Sequence, residues 1–152
     1  MKNSIFIISL IILFFAPNNL MSNTEFFEEG LTLFKNKKFN EAKFKFEQDI
    51  VFNPKSEMSY LYLSKIFKSF EKKNLEEQNL NTVILINPKN EEAIYNLAKL
   101  KLDSSDYKKS KELNDRLMSL CNNFCEKSKK LKTEIEIYQK SRCSFLRIRK
   151  KF

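Results

Sequence analysis

The 152-residue sequence has no histidine and no tryptophan, and only one glycine and three prolines. Lacking histidine, it lacks the commonest general base and the commonest metal ligand. Ser-His-Asp and Cys-His catalysis, c-type haem attachment and every histidine-containing zinc site are excluded with it. The scarcity of glycine and proline excludes a turn-rich all-β fold and leaves helix as the default. Carboxylate acid/base chemistry is the enzymatic reading that survives. The acids expected to face solvent, such as Glu28, Glu76, Glu77 and Glu112, are scattered and form no pair in an apolar surround. The expectation is therefore a non-enzyme with no cofactor, no bound metal and no small-molecule substrate.

Charge is plentiful but uneven. The net charge is +9, yet residues 23–125 carry 17 Lys/Arg against 16 Asp/Glu, while residues 126–152 carry 10 against 3. The basicity belongs to the C-terminal end, so the body has no reason to seek phosphate, and a nucleic-acid partner is not expected.

The one long apolar run is Ile5 to Ala16 (IFIISLIILFFA), behind Lys2. Twelve helical residues reach about 18 Å, short of a ~30 Å hydrocarbon core. Residues 1–22 thus read as a secretory signal, with an uncleaved anchor or a buried N-terminal helix as the competing readings. The first cysteine is Cys121, so lipidation at a new N-terminal cysteine is excluded. Export to the periplasm or cell envelope follows as an expectation. The richness in Asn, Lys, Ile and Phe is that of AT-rich coding and points to a bacterial source.

A repeat then organises the chain. Asn53-Pro54-Lys55 recurs as Asn87-Pro88-Lys89, with the prolines 34 residues apart and none elsewhere beyond the N-terminal segment. Each follows an apolar helical run, and proline disfavours helix in the residue before it, so each motif ends one helix and lets the next begin.

The window NTEFFEEGLTLFKNKKFNEAKFKFEQDIVFNP resembles the tetratricopeptide repeat without a gap. Phe26 falls at the first aromatic position, Gly30 at the small position where helices A and B approach, and Phe39 at the opening of helix B. Ala42 holds the second small position, Phe46 the following aromatic and Pro54 the closing proline. As an ordinary turn residue, Gly30 would cost a helix interior about 1 kcal/mol without compensation. The second repeat keeps Tyr60, Leu63, Ser64 and Phe67. It then departs: Leu75 is expected to open a helix B two residues late and two shorter, with polar Gln78 in the alanine place. The third keeps Ile94, Leu97, Ala98, Tyr107 and Ser110 but lacks the proline.

The resemblance implies an all-α fold, a right-handed α-solenoid of antiparallel helix pairs with about three repeats and a C-terminal capping helix. The boundaries are residues 1–22 for the signal, then 23–56, 57–90 and 91–122 for the repeats, 123–140 for the cap and 141–152 for a basic tail. It also implies a concave face lined by helix A of each repeat, offering Phe27, Leu31 and Phe34, then Leu61, Lys65 and Lys68, then Tyr95, Asn96, Lys99 and Leu102. From these, Phe27, Phe34, Lys65, Lys68, Tyr95, Asn96 and Lys99 are the candidate partner-binding residues, suited to an extended or helical peptide with acidic groups. They fall short of the full carboxylate clamp of the chaperone-tail-binding members. A merely solvated surface for the lysines, and packing on a neighbouring helix for Phe27 and Phe34, are the competing readings.

Cys121 and Cys125 stand four apart. In an unbroken helix their Cβ atoms lie about 5–6 Å apart, more than the roughly 3.5–4.5 Å of a disulfide. If Asn122-Asn123 breaks the helix, a bridge fastens the cap to the third repeat. Otherwise the two are small apolar residues of the cap interface, and Cys143 is left free or pairs between chains. The last thirteen residues, KSRCSFLRIRKKF, hold six positive charges and no acid. They read either as a frayed soluble tail or as a weak contact with an anionic membrane. The functional expectation is a protein–protein interaction scaffold of the envelope. The alternative is a membrane-associated assembly factor held by an uncleaved N-terminal segment and the basic tail.

Overall fold

The computed structural model describes residues 24–149, and side chains as far as Ser141. The expected signal segment, the side chain of Cys143 and those of the basic end lie outside the described residues. Those described form seven helices and no strand. Helices α1 (Glu25–Lys35) and α2 (Phe39–Phe52) make the first pair, α3 (Glu57–Ser69) and α4 (Lys73–Ile86) the second, α5 (Glu91–Asp103) and α6 (Tyr107–Leu120) the third. Helix α7 (Cys125–Arg149) closes the stack. Each helix packs on the next in chain order, and α7 also reaches α5. This is an α-solenoid of helix pairs.

The period is held by a turn that the sequence does not announce. Lys37, Glu71 and Ser105, 34 residues apart, adopt left-handed backbone with φ of 60°, 57° and 61°. After each, a backbone N–H reaches back five residues: Lys38 to the Leu33 carbonyl at 3.0 Å, Lys72 to Phe67 at 2.9 Å, Asp106 to Lys101 at 2.8 Å. With the N–H of Lys37, Glu71 and Ser105 bonded to the Phe34, Lys68 and Leu102 carbonyls, this is the Schellman closure, which usually recruits glycine. Here it uses none.

That backbone closure, and not an apolar residue, sets where helix B starts. Helix α4 therefore opens at Lys73 and has 14 residues, the same length as α2 and α6. The expected late start at Leu75 is corrected: Leu75 lies exposed within α4. Gln78 is exposed as well. The inner small position, Ala42 in the first repeat and Ser110 in the third, falls in the second on Glu76, which is 4% exposed. The expectation that Glu76 faces solvent is corrected with it.

Gly30 meets the need foreseen for it. A Cβ there would stand 2.9 Å from Cε1 of Phe46, so only glycine lets α1 lie this close to α2. Phe46 anchors an aromatic core with Phe27, Ala42, Leu63, Ile66 and Phe67. The second core is aliphatic and runs from Leu61 through Leu80, Ile94 and Leu97 to Leu117, Leu131 and Ile135. Helix α3 belongs to both, giving Leu63, Ile66 and Phe67 to the first and Leu61 to the second. Burying each such side chain is worth about 1.5–3 kcal/mol.

Buried and half-buried acids tie each repeat to its successor. The Glu57 carboxylate accepts from the Asn87 and Asn90 side chains. Thirty-four residues on, Glu91 accepts the backbone N–H groups of Asn122, Asn123 and Phe124 at 2.5, 2.7 and 3.0 Å. Those bonds, Asn122's foremost, hold the Glu91 carboxyl below the ordinary carboxylate range. In the first repeat Asp49, buried, accepts from the Thr24 and Ser59 hydroxyls. The loop clasped by Glu91 interrupts the helix between Cys121 and Cys125, which are joined by a disulfide with Cα atoms 4.9 Å apart.

The cap is longer than expected. It continues to Arg149, so most of the segment read as a tail is helical backbone, which neither glycine nor proline interrupts after Cys125. Asn114 and Ser128 fix it to α6 through buried hydrogen bonds of 2.9 and 3.1 Å. Tyr107, the first residue of α6, stacks on Tyr138, so the two helices run antiparallel.

Candidate partner-binding face

The candidate residues lie on α1, α3 and α5, the three helices A, beside α7. Phe27 is 6% exposed, packed on Phe46 at 5.8 Å and edge-on to Tyr62 at 6.1 Å. It supports the face from beneath and presents no surface to a partner. Phe34 is half-buried, between Phe39 at 5.4 Å and Tyr62 at 5.0 Å.

The lysines are engaged. Lys65 pairs with Glu92 of α5 at 2.9 Å and lies over the Tyr62 ring at 4.7 Å. Lys99, 34 residues later, pairs with Glu134 of α7 at 2.5 Å, a hydrogen bond that holds its ammonium above the ordinary lysine range. Each lysine thus reaches forward to an acid on the next helix of the inner row. Tyr95 is half-buried against Phe124 at 5.6 Å, and Lys127 lies over both rings. Asn96 sits half-buried beside it. Lys68 is exposed near the end of α3 and borders a separate cavity between α3, α4 and α5.

The structure therefore brings Phe34, Lys65, Tyr95, Asn96 and Lys99 onto one continuous face. It adds residues that sequence reasoning missed: Tyr62, Glu92, Phe124, Lys127 and Glu134. A signal existed for part of this set, since Lys65 and Lys99 are one repeat apart. Electrostatically the face is a row of paired charges between half-buried aromatic rings, and not a field of bare lysines. Partly exposed ion pairs are worth about 0–1 kcal/mol, so exchange of Glu92 or Glu134 for an incoming carboxylate is cheap. Among the described residues no group of acids or cysteines is placed to hold a metal ion, and no helix is long and apolar enough to cross a membrane.

The fold has clear counterparts among solved structures. The Yersinia enterocolitica type III secretion chaperone SycD, solved with a peptide of the translocator YopD, superposes with a TM-score of 0.70 at 15% identity, covering 82% of this chain and 99% of that one. The TPR2B domain of yeast Sti1, solved in complex with pHsp70, gives 0.69 at 14% identity over 75% and 95% of the two chains. The first tetratricopeptide domain of Spaghetti (RPAP3), bound to the HSP90 peptide SRMEEVD, gives 0.67 at 17% identity over 75% and 90%. No protein-family profile and no curated protein matches the sequence. The fold is that of the tetratricopeptide-repeat domains.

Proposed function

We propose that this chain is a non-enzymatic interaction scaffold that holds an extended peptide or a partner helix along the face formed by α1, α3, α5 and α7. One observation carries the reading: two lysine–carboxylate pairs, Lys65–Glu92 and Lys99–Glu134, repeat along this face between Phe34, Tyr62, Tyr95 and Phe124. Half-buried rings supply anchor area, and exchangeable ion pairs set the register of a chain carrying its own charges. Three solved proteins of the same fold are in complex with an HSP90 peptide, a peptide of the translocator YopD and pHsp70, which supports the same use here.

The scaffold works in the periplasm or cell envelope. The N-terminal apolar run supports this placing, and so does the Cys121–Cys125 bridge, since disulfides persist in oxidising compartments. A second reading draws on the length of α7. At 1.5 Å per residue its 25 residues span about 37 Å, whereas α6, which it packs along, spans about 21 Å. The C-terminal stretch of α7 carries Lys140, Arg142, Arg147 and Arg149. A basic helix end of this kind adsorbs to anionic lipid at about 1 kcal/mol per basic residue, as a membrane-associated assembly factor requires.

Selection from a displayed random-peptide library against the full chain tests the scaffold reading. Peptides bound by the wild type and lost with Tyr95→Ala/Asn96→Ala, at unchanged helical content, support it, and equal binding by both sinks it. Fractionation with a salt wash separates the membrane modes. Release by salt means adsorption through the basic end, and a salt-resistant pool means an N-terminal anchor.

A further inference from the structure

Among the described residues, Glu76 has a side chain within the stack and a carboxylate that no protein group bonds. Position for position, Glu76 stands where Ala42 and Ser110 stand in the neighbouring repeats. Ala42 is fully buried and needs no partner, and the Ser110 hydroxyl donates to the Ala98 carbonyl at 2.8 Å. Glu76 is 4% exposed, and among the described residues its carboxylate makes no hydrogen bond and no ion pair. Its oxygens are not sealed from solvent, so they are answered only by what enters the cavity beside them.

Glu76 also lines a cavity of about 330 Å³, together with Lys68 near the end of α3, Glu71 just beyond it, Lys73 at the start of α4, and Leu100 and Asp103 of α5. Three acids face two lysines there, and the deepest group is the unpaired carboxylate. Desolvation pushes the Glu76 carboxyl above its ordinary range. Lys68 and Lys73 pull it down without reaching bonding distance, and Asp103 pushes it up. An anion entering between the lysines would meet Glu76 head-on. The acids are also not gathered as a metal site needs.

We propose that this cavity binds a guanidinium or alkylammonium group, with Glu76 as the acceptor at its floor, Asp103 and Glu71 at its rim, and Leu100 as the wall against which the carbon stem lies. A cation there regains the Coulomb attraction and hydrogen bonds that burial denies Glu76. A planar guanidinium can engage a carboxylate through two parallel N–H donors. The site stands apart from the aromatic face and does not depend on that face taking a peptide.

The test titrates the full chain with n-propylguanidinium, following backbone amide shifts and the side-chain carboxyl carbon of Glu76 by NMR. The expected result is saturable change confined to residues 68–76 and 100–103, and a carboxyl titration moved to lower pH by the probe. Glu76→Gln, isosteric and uncharged, should weaken binding at least tenfold with an unchanged circular dichroism spectrum. Lys68→Met, which removes a competing cation, should tighten it. An acetylated, amidated Gly-Arg-Gly peptide distinguishes the sources: tighter binding than the free probe assigns the site to a partner's arginine, and equal binding assigns it to a small cation. Binding by Glu76→Gln equal to wild type, shifts centred elsewhere, inorganic phosphate perturbing the cavity in the probe's place, or no binding at all would each overturn the proposal.

Discussion

Replacing Gly30 with alanine sets two effects of comparable size against each other, and the geometry decides between them. Removing a glycine from a helix interior stabilises it by about 1 kcal/mol in the absence of contacts. The added methyl, however, would stand 2.9 Å from Cε1, 3.0 Å from Cδ1 and 3.2 Å from Cζ of Phe46. That ring is fully buried, stacked on Tyr62 at 5.2 Å and tilted against Phe27 at 5.8 Å, so it has nowhere to move. Overpacking of this kind costs about 1–3 kcal/mol. Gly30→Ala should therefore lower stability by about 1 kcal/mol net. In a Phe46→Leu background, where the ring atoms are gone, the same change should raise it by up to about 1 kcal/mol. Urea unfolding followed by circular dichroism on the four proteins of this cycle gives both numbers. An alanine that stabilises the wild type as much as the leucine background would refute the claim that Phe46 is what requires glycine here.

Other consequences attach to particular residues. Lys37→Gly, Glu71→Gly and Ser105→Gly each relieve a left-handed non-glycine residue and should stabilise by about 1 kcal/mol; a combined variant should be nearly additive in thermal melts. Glu76→Ala removes a carboxylate that burial desolvates and should stabilise the fold at neutral pH. Because its folded carboxyl is raised, the wild type binds that proton more readily folded than unfolded. Stability should accordingly fall as pH rises through that window, and the advantage of Glu76→Ala should shrink on acidification. Glu91 has the opposite sign: its carboxyl is lowered, so its contribution is present above the ordinary carboxylate range and lost as the pH falls through the folded value. Glu91→Gln, with one acceptor oxygen for three N–H groups, should speed hydrogen exchange at Asn122–Phe124 while α1 and α2 stay protected.

Much of the fold was legible because its signals are local. The two Asn-Pro-Lys motifs, Gly30, Ala42 and Phe46 mark helix ends and close approaches with residue types that have few other uses. The second repeat misled because an apolar residue was sought at the head of helix B, and Leu75 met that description. The start is in fact fixed by a backbone closure at Glu71, which has no side-chain signature when glycine is absent. Counting 34 from Phe39 and Ala42 leads to Lys73 and Glu76, residues whose polarity hides the equivalence. The partner-binding face was legible as a set of helix A positions, but not in its chemistry. The Lys65–Glu92 and Lys99–Glu134 pairs and the Tyr95–Phe124 contact cross from one helix of the inner row to the next. They depend on how neighbouring helices are set against each other, which spacing along one helix does not encode. The same holds for Phe27, whose burial is completed by Tyr62 of the following repeat.

The most direct test of the central claim is an NMR titration of the full chain with a peptide selected for binding to it. The account predicts saturable shift changes along one line from Phe34 and Tyr62 through Lys65, Tyr95, Asn96 and Lys99 to Phe124, with the exposed Val51 and Leu85 of α2 and α4 unmoved. Changes centred on Val51 and Leu85, with Tyr62 and Tyr95 silent, would contradict it and place binding on the opposite side of the stack.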